Sequence, residues 1–160
     1  MKILIIDYFN FLYHRYYHLE EKIIINNLQD LTKFAYNQNK KIYIFFDGLF
    51  WSYLNVDSKH IILYFSPQGM NADQYILKTC SHLQGKTNFI ITQDNELIKA
   101  FQKTSSFSVL LPRELWKLLD SYLAQQNYYH NKKNISPLKK ITPEKNTALE
   151  NLYYSFFSED

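Results

Sequence analysis

Met1-Lys-Ile-Leu-Ile-Ile-Asp7-Tyr-Phe-Asn10 is the stretch whose reading decides the fold. An apolar run ends abruptly in a carboxylate, and an amide side chain follows three positions later. The same order, buried strand and then acid, returns three times. Ile42-Tyr-Ile-Phe-Phe46 runs into Asp47. Ile61-Ile-Leu-Tyr-Phe65 is followed, after a turn, by Asp73. Phe89-Ile-Ile-Thr92 leads, one residue on, to Asp94. Runs that are apolar at every position, rather than at alternate ones, suit strands covered on both faces.

The segments between these runs carry helical spacing. Residues 9–18 read as a short aromatic helix or turn. Over 20–38, Ile24, Leu28, Leu31 and Ala35 fall on one face. Asn71 caps the next helix, with Gln74 three positions on in a capping-box pattern. Ile76, Cys80 and Leu83 form its buried stripe, and Gly85 stops it. A short helix follows over 94–104, and a fifth strand over 107–111. Pro112 opens another helix, with Leu115, Trp116, Leu119, Tyr122 and Leu123 at helical spacing. Strands alternating with helices predict an α/β fold: a three-layer α/β/α arrangement around a five-stranded parallel sheet with right-handed crossovers. Residues 1–126 form this domain. Residues 127–160 form a basic tail, a polar linker around Pro137 that ends in a helix over 143–157.

Composition narrows the class. At 160 residues, with 46% hydrophobic and 21% charged, the chain is expected to be one folded domain. Its longest apolar runs are about six residues, too short to span a bilayer, and no signal-peptide segment is recognisable. A cytoplasmic or organelle-stroma protein is expected. The single cysteine, Cys80, can form neither an internal disulfide nor a cysteine zinc site. The net charge of +3 does not by itself indicate nucleic acid. The 18% aromatic share belongs to a general Lys, Asn, Ile, Tyr and Phe bias and is discounted as a functional signal.

In parallel sheets of this kind, function gathers at the carboxyl ends of the strands. Asp7, Asp47, Asp73 and Asp94 all fall on that edge. Taken singly, each serves equally well as a helix cap or first-turn residue, and Asn10 does too. Taken as a set, carboxylates crowded together raise one another's pKa and call for a counter-charge. Mg²⁺ or Mn²⁺ supplies it through oxygen ligands, and can activate water and steady the charge on a phosphodiester as it is cut.

The ordered motifs resemble a known family. Ile-Ile-Asp7-Tyr-Phe-Asn10 is similar to the D-G-Y-N opening of NYN domains, a branch of the PIN-like nucleases. Phe-Phe-Asp47 resembles their V-F-D. Phe65-Ser-Pro-Gln-Gly-Met-Asn-Ala-Asp73-Gln-Tyr-Ile76 resembles F-T-x-x-x-E-T-A-D-x-x-I. Ile91-Thr-Gln-Asp94 resembles V-T-S-D, and Leu111-Pro-Arg-Glu-Leu115 stands where the family has an A-R-E-L type segment. Over about residues 2–126 the chain resembles the YacP-like subfamily, ribosome-associated endoribonucleases that cut mRNA during translation. The resemblance implies a PIN-like fold and an endoribonuclease dependent on Mg²⁺ or Mn²⁺. It makes Asp7, Asp73 and Asp94 metal ligands or acid/base groups, gives Asn10 a role in orienting a ligand or phosphate, and adds Asp47 as a further acid. Two positions depart from the pattern. The family glycine after the first Asp is Tyr8, which is expected to change backbone freedom there. The family Glu before T-A-D is Met70, so one carboxylate is missing, with Glu96 as a partial substitute. These departures motivate a second reading, an NYN module that binds RNA or ribosomes without cutting.

Edge geometry sorts the remaining candidates. Lys40, Lys41, Lys59 and Lys86 precede strands, lie opposite the acids, and are expected to be solvated. Arg15 and Arg113 follow strands and could reach phosphates; Arg113 could instead pair with a carboxylate. Phe50, Trp51 and Tyr53 follow Asp47, either as base-stacking platforms or as cover for the sheet. Lys132, Lys133, Lys139 and Lys140 could grip mRNA or ribosomal RNA, or simply be solvated. His14 and His18 at i, i+4 suit zinc by spacing alone and lack any supporting motif. A third reading, a phosphatase of the haloacid-dehalogenase type, also begins strand–Asp but is disfavoured by Phe9, which stands where the second Asp of D-x-D belongs. Nucleotide-loop readings fail because Gly48, Gly69 and Gly85 are scattered.

Overall fold

The computed structural model describes residues 2–80, 83, 88–103 and 107–132, with side chains up to His130. The elements run β1 (Ile3–Asp7), α1 (Tyr8–Tyr13), α2 (Glu21–Asn37), β2 (Lys41–Phe46), β3 (Ile61–Phe65), α3 (Ala72–Cys80), β4 (Asn88–Ile91), α4 (Asn95–Gln102), β5 (Phe107–Leu110) and α5 (Pro112–Lys132). The five strands form one sheet in the order β3-β2-β1-β4-β5, and every neighbouring pair is parallel. The expected fold class is therefore the observed one.

The pleat explains how the layers form. Leu4 pairs with Ile42 and Ile6 with Ile44, so these side chains share one face with Phe46. Tyr8 packs its ring on Phe46 at 4.8 Å and donates its hydroxyl to Asn27 Oδ1 (2.9 Å) and the Ile24 carbonyl (3.2 Å) of α2. That face is therefore the α1/α2 side. Ile5, Tyr43, Phe45 and Ile90 point the other way, into a core with Ile76 and Cys80 of α3 and Leu97 and Phe101 of α4. Asp7 is two residues beyond Ile5 and shares its pleat face. It therefore lies on the side of α3 and α4, the two helices that Asp73 and Asp94 open.

The chain divides into two compact units, Met1–Lys117 and Leu118–Asp160. In the first, Trp116 of α5 donates its indole N–H to the Phe11 carbonyl of α1 (3.0 Å), and the two rings stack at 4.3 Å. In the second, residues 118–132 continue α5. Residues 127–132, expected as the start of a linker, are thus helical, because no proline or glycine interrupts the chain before Pro137. The rest of the expected linker, the helix over 143–157, Gly85 and Lys86 lie outside the described residues.

Other expectations need correction. The helix after β1 stops at Tyr13, so His14 is its cap and His18 lies beyond it. The helical i, i+4 spacing that suited zinc is absent. Lys40 is only 7% exposed rather than solvated; its backbone bonds to Ala35, and its carbonyl accepts a hydrogen bond from His60 Nδ1 (2.9 Å). Lys41 is half-buried with its ammonium 5.6 Å from the centre of the Tyr43 ring. The capping box at α3 is present in both directions: Gln74 N–H donates to Asn71 Oδ1 (2.9 Å), and Asn71 N–H to Gln74 Oε1 (3.2 Å).

Candidate functional site

The sheet order places a topological switch between β1 and β4. The chain builds outward from β1 to β2 and β3, then returns to add β4 and β5 on the other side. The crevice at the carboxyl ends of β1 and β4 is where open parallel sheets bind ligands. Asp7 ends β1 there. Asp94 follows β4, and Asn10 of α1 spans the gap by accepting the Gln93 N–H on its Oδ1 (3.1 Å).

Each acid is held by its local chain. Asp7 caps α1, accepting the Asn10 N–H on Oδ1 at 3.5 Å. Asp94 caps α4, accepting both Glu96 N–H (2.8 Å) and Leu97 N–H (2.9 Å) on Oδ1. Its own N–H donates to Thr92 Oγ1 (3.0 Å). Asp47 follows β2 and accepts the Ala72 N–H at the start of α3 on Oδ1 (3.1 Å). Ser66 also donates to that oxygen (3.5 Å) and accepts the Gly48 N–H (2.7 Å). Asp73 sits in the first turn of α3, half-buried. Among the described residues, the side-chain hydrogen bonds of Asp7, Asp47 and Asp94 all use Oδ1, so their second oxygens take none there.

The electrostatics join the four. Asp7 is 8% exposed. Burial, with the charges of Asp73, Asp94 and Asp47 added, raises its pKa from 3.8 to about 7, against the lowering effect of the Asn10 N–H. Asp73 is raised by burial first, then by Asp94, Asp47 and Glu96. Among the described residues none of the four forms an ion pair. The set is a region of negative field with no ion-pair partner among the described residues.

A divalent ion fits that field. Among the described residues no three His, Cys, Asp or Glu side chains stand close enough to ligate one ion together. Mg²⁺ usually takes only one or two carboxylates and fills its shell with water and substrate phosphate oxygens. Four carboxylates whose charges act on one another at one edge offer the oxygen chemistry such an ion takes.

The departures from the family pattern look different in the fold. Tyr8 does not need the freedom of glycine. Among the described residues only Asn39, Gly48 and Gly69 have positive φ, and Tyr8 sits in α1 with its ring buried toward α2, away from Asp7. Glu96, in the first turn of α4, acts on Asp73 and so lies within the field of the set. Ser66 and Thr92 were missed by sequence reasoning. Both are fully buried and stand immediately after strands, and a small hydroxyl in that position is the signal that could have revealed them.

The remaining candidates scatter. Arg15 stacks its guanidinium 3.8 Å over the Trp116 ring. Arg113, in the first turn of α5, is exposed, and among the described residues it makes no ion pair. Trp51 is half-buried between Phe50 (5.0 Å) and Tyr53 (6.0 Å). The side chain of Lys132, together with Lys133, Lys139 and Lys140, lies outside the described residues. Among the described residues no helix is long and apolar enough to cross a membrane.

A model of the YacP-like NYN domain matches residues 4–153. Two crystal structures of Rae1 (YacP) from Bacillus subtilis share the fold. One, a tryptophan-to-leucine mutant, has a TM-score of 0.70 at 14% identity, over 96% of this chain and 99% of that one. The other has a TM-score of 0.68 at 15% identity, over 82% and 81%. No curated protein matches the sequence.

Proposed function

Because this chain belongs to the YacP-like NYN family, we propose that it is an endoribonuclease that cuts RNA phosphodiester bonds with Mg²⁺ or Mn²⁺, acting on mRNA at the ribosome. The observation that carries this reading is Asp7. It is a buried carboxylate with a pKa near 7, at the β1/β4 switch point, in the field of three further acids. A group of that pKa can hold or release a proton at neutral pH. A divalent ion at this edge would polarise the phosphate and lower the pKa of water there. Of Asp7, Asp47, Asp73 and Asp94, one or two would ligate it directly, and the others would hold it through their charge and through bound water.

The side chains have separable tasks. Asp94 fixes α4 with its first oxygen, and its second would serve the ion. Asn10 uses its oxygen on Gln93, so its amide NH₂ is left to donate to a phosphate oxygen. Asp73, raised by burial first and then by Asp94, Asp47 and Glu96, would be favoured in its charged form by a cation. Arg113, and Arg15 if it leaves Trp116, would contact phosphates along the strand. We assign the catalytic part to residues 1–126, and to the tail 127–160, through Lys132, Lys133, Lys139 and Lys140, the grip on ribosomal or messenger RNA. Such a protein works where mRNA is translated, in the cytoplasm or an organelle stroma.

One observation favours a second reading, an NYN module that binds RNA or ribosomes without cutting: the absence, among the described residues, of a three-ligand group. Cleavage of labelled RNA, free and on translating ribosomes, with Mn²⁺ or EDTA, separates the two. Cutting that needs Mn²⁺ and disappears in an Asp7→Asn/Asp94→Asn double variant supports the nuclease. Equal behaviour of wild type and double variant removes it.

A further inference from the structure

The loop after Asp47 presents apolar rings to solvent at the rim of the acid edge. Phe50 is 76% exposed and Tyr53 59% exposed, with Leu49 beside them. Large rings displayed together on a polar surface mark a contact site. These are not a slack loop. Gly48 N–H is fixed to Ser66 Oγ (2.7 Å), Ser52 N–H to the Leu49 carbonyl (3.0 Å), and Leu54 N–H to the Trp51 carbonyl (2.9 Å). Tyr53 hydroxyl donates to Glu21 Oε1 of α2 (3.1 Å). Trp51 lies half-buried between the two outer rings, edge-on to Phe50 and tilted on Tyr53. The loop is therefore pinned at its start, in its middle and at its far ring.

From these contacts we propose that Phe50, Trp51 and Tyr53 form a stacking platform for unpaired nucleobases, so that the ligand is single-stranded RNA whose backbone passes over the acid edge. The proposal rests on the nuclease reading for the identity of that backbone. Two observations choose this occupant over a protein. Phe50 stands three residues after Asp47, and three residues of chain span at most about 11 Å, so a base on Phe50 and a phosphate at the acids can belong to one short strand. The rings meet edge-on and tilted rather than face to face, and the two outer ones stay exposed, which leaves ring surface for a flat base. Stacking is tolerant of base identity because every base has a π face. The platform would thus favour unpaired over duplex RNA without reading its sequence.

The test is binding without cutting. Fluorescence anisotropy of a short labelled RNA in EDTA would compare a single strand, the same strand in a duplex, and an abasic strand with identical phosphates. Wild type should prefer the single strand over both others. Phe50→Ala/Tyr53→Ala should lose about tenfold in affinity for each base it no longer stacks, and bind the abasic strand as wild type does. Equal affinity of wild type for the intact and abasic strands overturns the proposal. So does unchanged single-strand affinity in the double variant, including the case where only its co-sedimentation with ribosomes is lost, which assigns the rings to a protein. Cleavage assays on the same samples keep the two readings apart. Base-dependent binding without cleavage retains the platform and removes the nuclease, whereas cleavage with no dependence on the rings does the reverse.

Discussion

Replacing Asp7 by Asn should stabilise the metal-free protein, and by an amount that grows with pH. In the unfolded chain an aspartate titrates near 3.9. In the fold its pKa is about 7. Between these values the folded state holds a proton that the unfolded state has lost, so stability falls as pH rises, by about 1.4 kcal/mol per pH unit. Below the unfolded pKa the charge costs nothing. Above about 7 the full penalty applies, and the rise from 3.8 to about 7 corresponds to about 4 kcal/mol. That is a large part of a typical domain stability of roughly 5–15 kcal/mol. Asn keeps the acceptor for the Asn10 N–H, so the cap survives while the charge goes. Urea unfolding in EDTA, followed by circular dichroism at pH 4.5, 5.5, 6.5 and 8, measures the difference between variant and wild type. It should be small at pH 4.5, widen through 6.5, and flatten by 8. A difference that stays constant across this range would refute the claim that Asp7 is buried uncompensated among like charges. Saturating Mn²⁺ at pH 8 should then stabilise wild type more than the variant.

The cap of α4 and the site can be taken apart at Asp94. Asp94→Ala removes the acceptor of two backbone N–H groups and should cost about 1 kcal/mol in urea unfolding as well as RNA cleavage; Asp94→Asn should keep most of that stability and still lose cleavage. Tyr8→Phe removes the hydroxyl that satisfies Asn27, a residue only 5% exposed, and should cost about 1–3 kcal/mol by the same unfolding measurement.

The acid edge was legible because its rule is local. A strand that is apolar throughout must be covered on both faces, and the residue after its last one must lie at the carboxyl edge, so Asp7 and Asp47 could be placed from position alone. Capping chemistry was also local, and Asn71 with Gln74 behaves as its spacing required. What failed depended on partners far along the chain. Lys40 looked like a surface lysine before a strand, but the turn into β2 brings it against His60, twenty positions away. Tyr8 looked like a burden on the backbone because only its neighbours were in view. The structure shows its ring answering Asn27 and Phe46, which no local pattern could reveal. Ser66 and Thr92 were passed over because small hydroxyls after strands are common, and only the fold shows which acid each one steadies.

The bond from Gln93 N–H to Asn10 joins residues 83 positions apart, and this dictates the order in which the edge can come into being. β1, β2 and β3 are neighbours in sequence and in the sheet, so that half can zip as soon as residue 65 exists. Joining β4 to β1 closes a loop of roughly eighty residues, at an entropic cost on the order of 4 kcal/mol, and it brings Asp94 in among acids that repel it. The least favourable contacts among the acids therefore form only once β4 has docked. While the chain is being made it can carry a finished half-sheet with Asp7 and Asp47 in place and still lack a working edge until the strand before Asp94 has docked. Timing, as well as geometry, is thus written into the position of β1 at the centre of the sheet.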